Sequence, residues 1–210
     1  MGSLTESEQS EEGEGWMQAL ANRYPNIDMI DVVNEPQHAP ASYREALGGA
    51  GTTGWDWIIW SFEKAREYFP NAELHINDYG IINDTNAIQV HLQIANLLND
   101  RGLIDAIGIQ CHHFNIDTLS ANNLTANLNM IATAGLPIYI AELDITGSTE
   151  EQQRQRYAEK FPIFWEHSAV KGVTLWGYRE GATWKVGTGI LNNDGSKRSA
   201  MTWLESYFSQ

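Results

Sequence analysis

Residues 137–167 read PIYIAELDITGSTEEQQRQRYAEKFPIFWEH, and this stretch decides the fold. Its opening, Pro137–Glu142, is an apolar run with the length and Ile content of a buried strand. A short polar loop follows, and then a charged helical pattern from Glu150 to His167. Ser148, with Glu151 three residues on, has capping-box spacing, which predicts that the helix begins there. A strand that closes on a carboxylate, a loop and a helix together make one βα unit.

The unit recurs on both sides. Ile27–Val33, Glu73–Asn77, Ala106–Cys111 and Gly172–Gly177 read as further strands, and Trp55–Phe69, Asn86–Arg101, Leu119–Ala134 and Arg198–Tyr207 as helices. Ile88, Leu92, Ala95 and Leu98 recur at helical spacing, so they should face the sheet. Gly102 directly after Asp100-Arg101 marks a helix C-terminus. The alternation predicts an α/β fold with a parallel sheet and right-handed crossovers. A complete eightfold βα barrel needs ~250 residues. About five βα units are visible here, with an extra N-terminal helix through Trp16–Tyr24. That pattern suits either an open α/β sheet or a partial TIM (β/α)8 barrel.

The chain's beginning is different. Residues 5–15 contain no apolar residue, and Gly13 and Gly15 interrupt an acidic stretch. Each glycine costs ~1 kcal/mol against alanine inside a helix, so fraying is expected, or an exposed helix that packs on nothing. Residues 1–15 are thus read as a polar or frayed segment, and 16–210 as one catalytic-type domain. Met1-Gly2-Ser3 reads as an expression leader, and no secretory signal is visible.

The 27 acidic and 13 basic residues give a formal net charge of −14, which argues against nucleic acid and anionic membranes as partners. A neutral polymer is compatible with that charge. The single cysteine, Cys111, excludes an internal disulfide framework and a Cys-rich zinc site. Eight Trp and eight Tyr supply faces that suit sugar rings, though such rings also fill ordinary cores. Trp55, Trp57 and Trp60 are read as packing.

In parallel α/β folds, reactive groups gather at the C-terminal ends of strands. Those ends carry Asn34-Glu35, Asn77-Asp78-Tyr79, Gln110 with His112, Glu142 with Asp144, and Trp176. Two glutamates closing apolar strands fit glycosidic cleavage, which needs an acid at the leaving oxygen and a carboxylate on the other sugar face. In retaining enzymes the two groups sit ~5–5.5 Å apart and the second attacks the anomeric carbon. Cys111-His112-His113 invites a metal reading, but successive strand residues point to opposite faces and no second cluster completes a ligand set. No metal and no cofactor are expected. Asn83-Asp-Thr and Asn123-Leu-Thr are glycosylation sequons, with meaning only in a eukaryotic secretory context.

Five motifs in order, Asp31-Val-Val-Asn-Glu35, Ile76-Asn-Asp-Tyr79, Gly108-Ile-Gln-Cys-His112, Glu142-Leu-Asp144 and Val173-Thr-Leu-Trp-Gly177, resemble glycoside hydrolase family 10, the endo-β-1,4-xylanases. The resemblance runs from about Trp16 to Phe208. It implies a retaining hydrolase of internal xylosidic bonds, with xylan or xylo-oligosaccharide as partner and a secreted parent enzyme. By resemblance Glu35 is the acid/base, which must hold its proton, and Glu142 the nucleophile, which must stay ionised. Asn34 would bind the sugar 2-hydroxyl, His112 would hydrogen-bond to Glu142, and Gln110 would orient the site. Asp144 is implied as a supporting partner, and Trp176 and Trp184 as stacking walls. Asn77 and Tyr79 count among the substrate-binding or supporting residues.

The family's barrels are complete, and this chain aligns with strands four to eight. The resemblance therefore implies that the first three units, with much of the glycone pocket, are not represented. It departs from many relatives at Tyr178-Arg-Glu-Gly-Ala-Thr183, where they carry an aspartate and a serine. Two alternatives stand beside the xylanase reading. One is an inert engineered fragment that self-associates or complements an N-terminal half; the other is a hydrolase of β-glucan or mannan.

Overall fold

The computed structural model describes residues 4–209. Met1-Gly2-Ser3 lies outside the described residues. Helix α1 (Glu6–Arg23) precedes five strands, β1 (Met29–Asn34), β2 (Glu73–Asp78), β3 (Ala106–Ile109), β4 (Ile138–Leu143) and β5 (Val170–Leu175). Between and after them lie α2 (Asp56–Tyr68), α3 (Thr85–Asn99), the short α4 (His113–Ile116), α5 (Ala121–Ala132), α6 (Glu150–Trp165) and α7 (Ser199–Phe208). The strand order is β1-β2-β3-β4-β5, and β1 with β2 and β4 with β5 pair in parallel. These are the five βα units and the leading helix that the sequence predicts.

The chain forms two compact units, Met1–Asp78 with Gln89–Gly108, and Tyr79–Ile88 with Ile109–Gln210. In the first, Ile58, Phe62, Leu74, Ile76, Ile94, Leu98 and Ile107 form a fully buried core. Of the predicted inward face of α3, Leu92 is only half-buried, and His91 and Ile94 are buried beside it. In the second unit the core is built from Leu124, Leu128, Ile138, Ile140, Leu143, Tyr157 and Phe164. A buried ammonium belongs to this layer: Lys160 Nζ donates to Leu119 O at 2.9 Å and reaches Glu159 at 3.1 Å.

The polar start does not fray within the described residues. Thr5 caps α1, its hydroxyl accepting from Glu8 N while the Glu8 carboxylate accepts from Thr5 N–H at 2.8 Å. That reciprocal pair satisfies two donors at the helix start and offsets the glycines. No residue of α1 is buried, yet the helix rests on α2, where Glu14 takes Lys64 Nζ and Tyr68 OH, each at 2.9 Å. The cap of α6 is Thr149 rather than the expected Ser148. Thr149 Oγ accepts from Gln152 N at 3.1 Å, while Ser148 donates its backbone N–H to Gln152 Oε1 at 2.7 Å. Gly102 sits just past α3 with φ +66°, as its position after the helix requires.

Candidate active site

In the first unit, β1 carries an extra residue opposite β2, since the register passes from Asp31↔His75 to Val33↔Ile76. Bulges of this kind re-aim the residues after them. The strand ends at Asn34, and Glu35 takes φ +56°, a left-handed conformation that costs an ordinary residue about 1–2 kcal/mol. The turn is pinned on both sides: Glu35 N–H donates to Asn77 O at 2.7 Å, and Glu35 O accepts from Ala39 N–H at 2.8 Å. Asn77, buried at the end of β2, donates its amide to Asn34 Oδ1 at 3.0 Å. Gly108 makes this seat possible, because a Cβ there would stand 2.8 Å from Asn77 Oδ1. Asp78 beside it is fully buried and accepts from Gln37 N–H at 2.9 Å, with His38 Nδ1 at 2.8 Å. The loop after β1 is therefore tied to the end of β2.

In the second unit, Cys111 also has a positive φ, +59°, and it swings the chain into His112. His112 is 7% exposed and lies between two carboxylates. Its Nδ1 is 2.9 Å from Asp144 Oδ2 and its Nε2 is 3.3 Å from Glu142 Oε2. Burial works against a charge on this ring, but the bonds to Asp144 and Glu142 outweigh it and push the pKa up to about 9. His112 is therefore an imidazolium at neutral pH. Asp144, with no exposed side-chain surface, also accepts His113 N–H at 2.6 Å and the Trp184 indole N–H at 2.6 Å. Glu142 N–H donates to Gln110 O at 3.1 Å. The β4–β5 register slips between Ile140 and Leu143, so the bulge falls at Ala141-Glu142, where the buried alternation of β4 breaks.

Aromatic rings surround this chain of charges. The His112 ring stacks on Phe114 with centroids 5.6 Å apart, and meets Trp184 at 5.2 Å and Trp176 at 6.4 Å. Tyr79 reaches the group through Phe114, edge to face at 6.0 Å. Trp176 and Trp184 are 44% and 55% exposed, so open aromatic faces stand beside a nearly buried Glu142. A carboxylate held by a histidine, with open rings beside it, can act as a nucleophile or base toward a ligand that stacks.

The expected residues thus assemble within their own units. Asn34, Glu35 and Asn77 belong to the first, and Tyr79, Gln110, His112, Glu142, Asp144, Trp176 and Trp184 to the second. Sequence reasoning passes over Phe114, although it directly follows the His112-His113 pair. It also misses the polar core under the loop after β5. There Gln153 Nε2 is shared among the carbonyls of Ile145, Gly187, Thr188 and Gly189, at 2.9–3.2 Å. Glu180 accepts from Gly187 N, Gly189 N and Arg198. Its place in the unusual Tyr178–Thr183 segment was the available signal. Among the described residues no cluster of His, Cys, Asp or Glu is arranged to hold a metal, and no helix is long and apolar enough to cross a membrane.

Parallel βα units whose strand ends carry carboxylates, beside a charged histidine and open tryptophans, define the barrel glycoside hydrolases as the class. The profile of glycosyl hydrolase family 10 matches residues 2–207, and the chain belongs to that family. Endo-1,4-beta-xylanase B of Cellvibrio japonicus is 39% identical over 214 residues, which takes in 100% of this chain and 34% of that protein. The GH10 structure from Paenibacillus barcinonensis superposes with TM-score 0.81 at 24% identity, over 98% of this chain and 69% of that one. Xylanase 10B of Thermotoga petrophila RKU-1, solved with xylobiose, gives TM-score 0.75 at 24% identity over 93% and 64%. At that identity these two likenesses establish the fold. The chain spans about a third of the length of the Cellvibrio relative.

Proposed function

We propose that this chain carries the catalytic residues of a retaining endo-β-1,4-xylanase, with Glu142 as nucleophile and Glu35 as acid/base. The observation that carries the reading is the Asp144–His112–Glu142 chain with the open Trp176 and Trp184 rings beside it. The His112 ring, 3.3 Å from Glu142, orients that carboxylate for attack on the anomeric carbon of a xylose ring. Glu35 donates its proton to the leaving glycosidic oxygen as that bond breaks. The glycosyl ester on Glu142 is then opened by water, which gives a proton to Glu35 and restores both carboxyl groups. Family membership and the xylanase names of its relatives support xylan as the substrate class.

The test is release of reducing ends from xylan, with the anomeric configuration of the first product followed by NMR. Retained configuration, abolished by Glu142→Ala, is the expected result; inverted product would refute Glu142 as nucleophile, since an inverting pair activates water instead. Because the solved relatives are covered only to 64–69% of their length, the assay is run with and without a supplied N-terminal barrel segment. Activity solely in the supplemented sample supports complementation, and light scattering distinguishes that from self-association. Hydrolysis of β-glucan or mannan in preference to xylan would move the substrate class.

A further inference from the structure

Between α6 and α7, in the same unit as Glu142 but built from other residues, lies a cleft of about 460 Å3. That volume is within the usual range of roughly 300–1,000 Å3 for small-ligand sites. One wall is the start of α6, with Glu150, Glu151 and Arg154. The other is α7, where Ser199, Thr202, Trp203 and Ser206 recur at three- and four-residue spacing and so share one face of the helix.

The charges in this cleft cancel, which is unusual in a chain of net charge −14. Those that line it are Glu150, Glu151, Arg154 and Lys197, and each has an opposite partner. Arg154 donates to Glu151 through Nε at 2.8 Å and Nη2 at 2.5 Å, Lys197 meets Glu205 at 2.6 Å, and Glu150 has Arg198 Nε at 3.6 Å. No charge is left over for an ionic ligand. Hydroxyls are left over: those of Ser199 and Ser206 make no hydrogen bond among the described residues, and Thr202 Oγ1 reaches Arg198 O at 3.5 Å. Trp203 is half-buried, and its neighbours fix the ring. It stacks on Tyr207 with centroids 5.2 Å apart, and Phe161 stands roughly perpendicular to it at 6.4 Å. Tyr207 is itself anchored, its hydroxyl donating to Glu166 at 2.6 Å. An aromatic surface that is already immobile loses little freedom when a ligand stacks on it.

We propose that this cleft is a second carbohydrate site, which holds an uncharged stretch of xylan against Trp203, with the Ser199 and Ser206 hydroxyls as partners for the sugar hydroxyls. A pyranose ring has an apolar face and a rim of hydroxyl groups. It matches a wall of one fixed indole and three hydroxyls with no net charge. The naming of the polymer rests on the xylan reading above. The cleft's role is separate from bond cleavage, because both carboxylates that line it are held by cations. Two holds on one polymer make the second contact intramolecular, so the cleft raises the effective concentration of chain near Glu142.

The test follows the tryptophan indole N–H signals by NMR as a neutral xylo-oligosaccharide, and separately polygalacturonate, is added to the full chain. The Trp203 signal, assigned by its loss in Trp203→Phe, should shift with the xylo-oligosaccharide. It should still shift when Trp176 and Trp184 are both replaced by alanine. Retention on insoluble xylan should weaken about five-fold in Trp203→Ala. Ser206→Arg, at an exposed helical position, puts an unmatched charge into the cleft and should weaken retention at least as much. A Trp203 signal that stays still while those of Trp176 and Trp184 move overturns the proposal and leaves the xylan reading intact. Unchanged retention in Ser206→Arg overturns it too, as does a Trp203 response to polygalacturonate equal to that for the neutral ligand. A Trp203 shift with Trp176 and Trp184 silent supports the cleft and counts against the xylan reading of the Glu142 site.

Discussion

Asp144→Asn isolates the electrostatic core of the site, because it swaps one acceptor oxygen for an amide at almost constant volume. In the native protein His112 titrates near 9, against an ordinary value of 6.5. At about 1.4 kcal/mol per unit, that displacement corresponds to about 3 kcal/mol of preference for the charged ring. Since the folded-state value is raised, this stabilisation is fully present below pH 6.5 and is lost as pH rises through about 9. Removing the Asp144 charge leaves burial opposed only by Glu142 at 3.3 Å. The midpoint should fall by about two units or more. The new amide NH2 must face either the Trp184 indole N–H with His112 Nδ1 or the His113 N–H, so one of those bonds to position 144 is lost, and the tautomer of the neutral ring reports which way the amide turns. Nitrogen-edited NMR of the imidazoles reads both effects, the midpoint and the tautomer. Urea unfolding from pH 6 to 10 should show stability declining in the native protein and nearly flat in the variant. A variant midpoint that stays near 9 would refute the assignment of Asp144 as the group that keeps His112 charged.

Burial, against a backbone hydrogen bond with Gly108 and with the help of the nearby His38, lowers His91 to about 4, so this ring is neutral in the fold. Its contribution is present above pH 6.5 and is lost as pH falls through about 4, up to about 3 kcal/mol; an NMR midpoint above 6 would contradict it. Gln153→Leu strips the donor from four carbonyls and should cost about 2–4 kcal/mol. Urea midpoints measure the loss, and proteolysis at Lys185–Gly189 should accelerate; an unchanged cleavage rate would dissociate Gln153 from that loop. Gly147→Ala would bring a Cβ to 2.4 Å from Gln153 N and 2.7 Å from Thr149 O, both backbone atoms. The start of α6 must then shift, lowering stability by about 1–3 kcal/mol, and an unaltered melting temperature would show that the loop absorbs the methyl at no cost.

The strands buried on both faces were the most legible part. Within β2 and β3 nearly every residue is buried, and such strands read as unbroken apolar runs whatever their partners. Boundaries were less legible where local signals tie. Ser148 with Glu151 and Thr149 with Gln152 offer the same cap spacing one residue apart, and only the folded backbone shows Ser148 N–H spent on Gln152. The start of β5 was missed because Lys171 interrupts the run; its ammonium turns out to Ser168 O and leaves the backbone in the strand. Gln153 was invisible for a different reason. It sits in a helix of charged residues, and its burial depends on a loop more than thirty residues later, to which no periodicity refers.

Among the described residues, two non-glycine residues have a positive φ, and they explain why the site's chemistry was readable while its construction was not. Glu35 directly follows β1 and Cys111 lies two residues past β3, both in the left-handed region, where glycine would be free of strain. At position 35 glycine would remove the carboxylate, so the strain persists with the function and must be held by its surroundings. What holds it is a sequence of dependences: Gly108 leaves room for Asn77, Asn77 O receives Glu35 N–H, and the Asn77 amide fixes Asn34. At position 111 the side chain has no such role, since its thiol is buried and burial pushes its pKa up, away from reactivity. Cys111 is buried at the turn that delivers His112 between Glu142 and Asp144. Motifs name the residues that touch the ligand, but the turns that aim them are set by neighbours a motif leaves undistinguished, a glycine in one case and a small apolar thiol in the other.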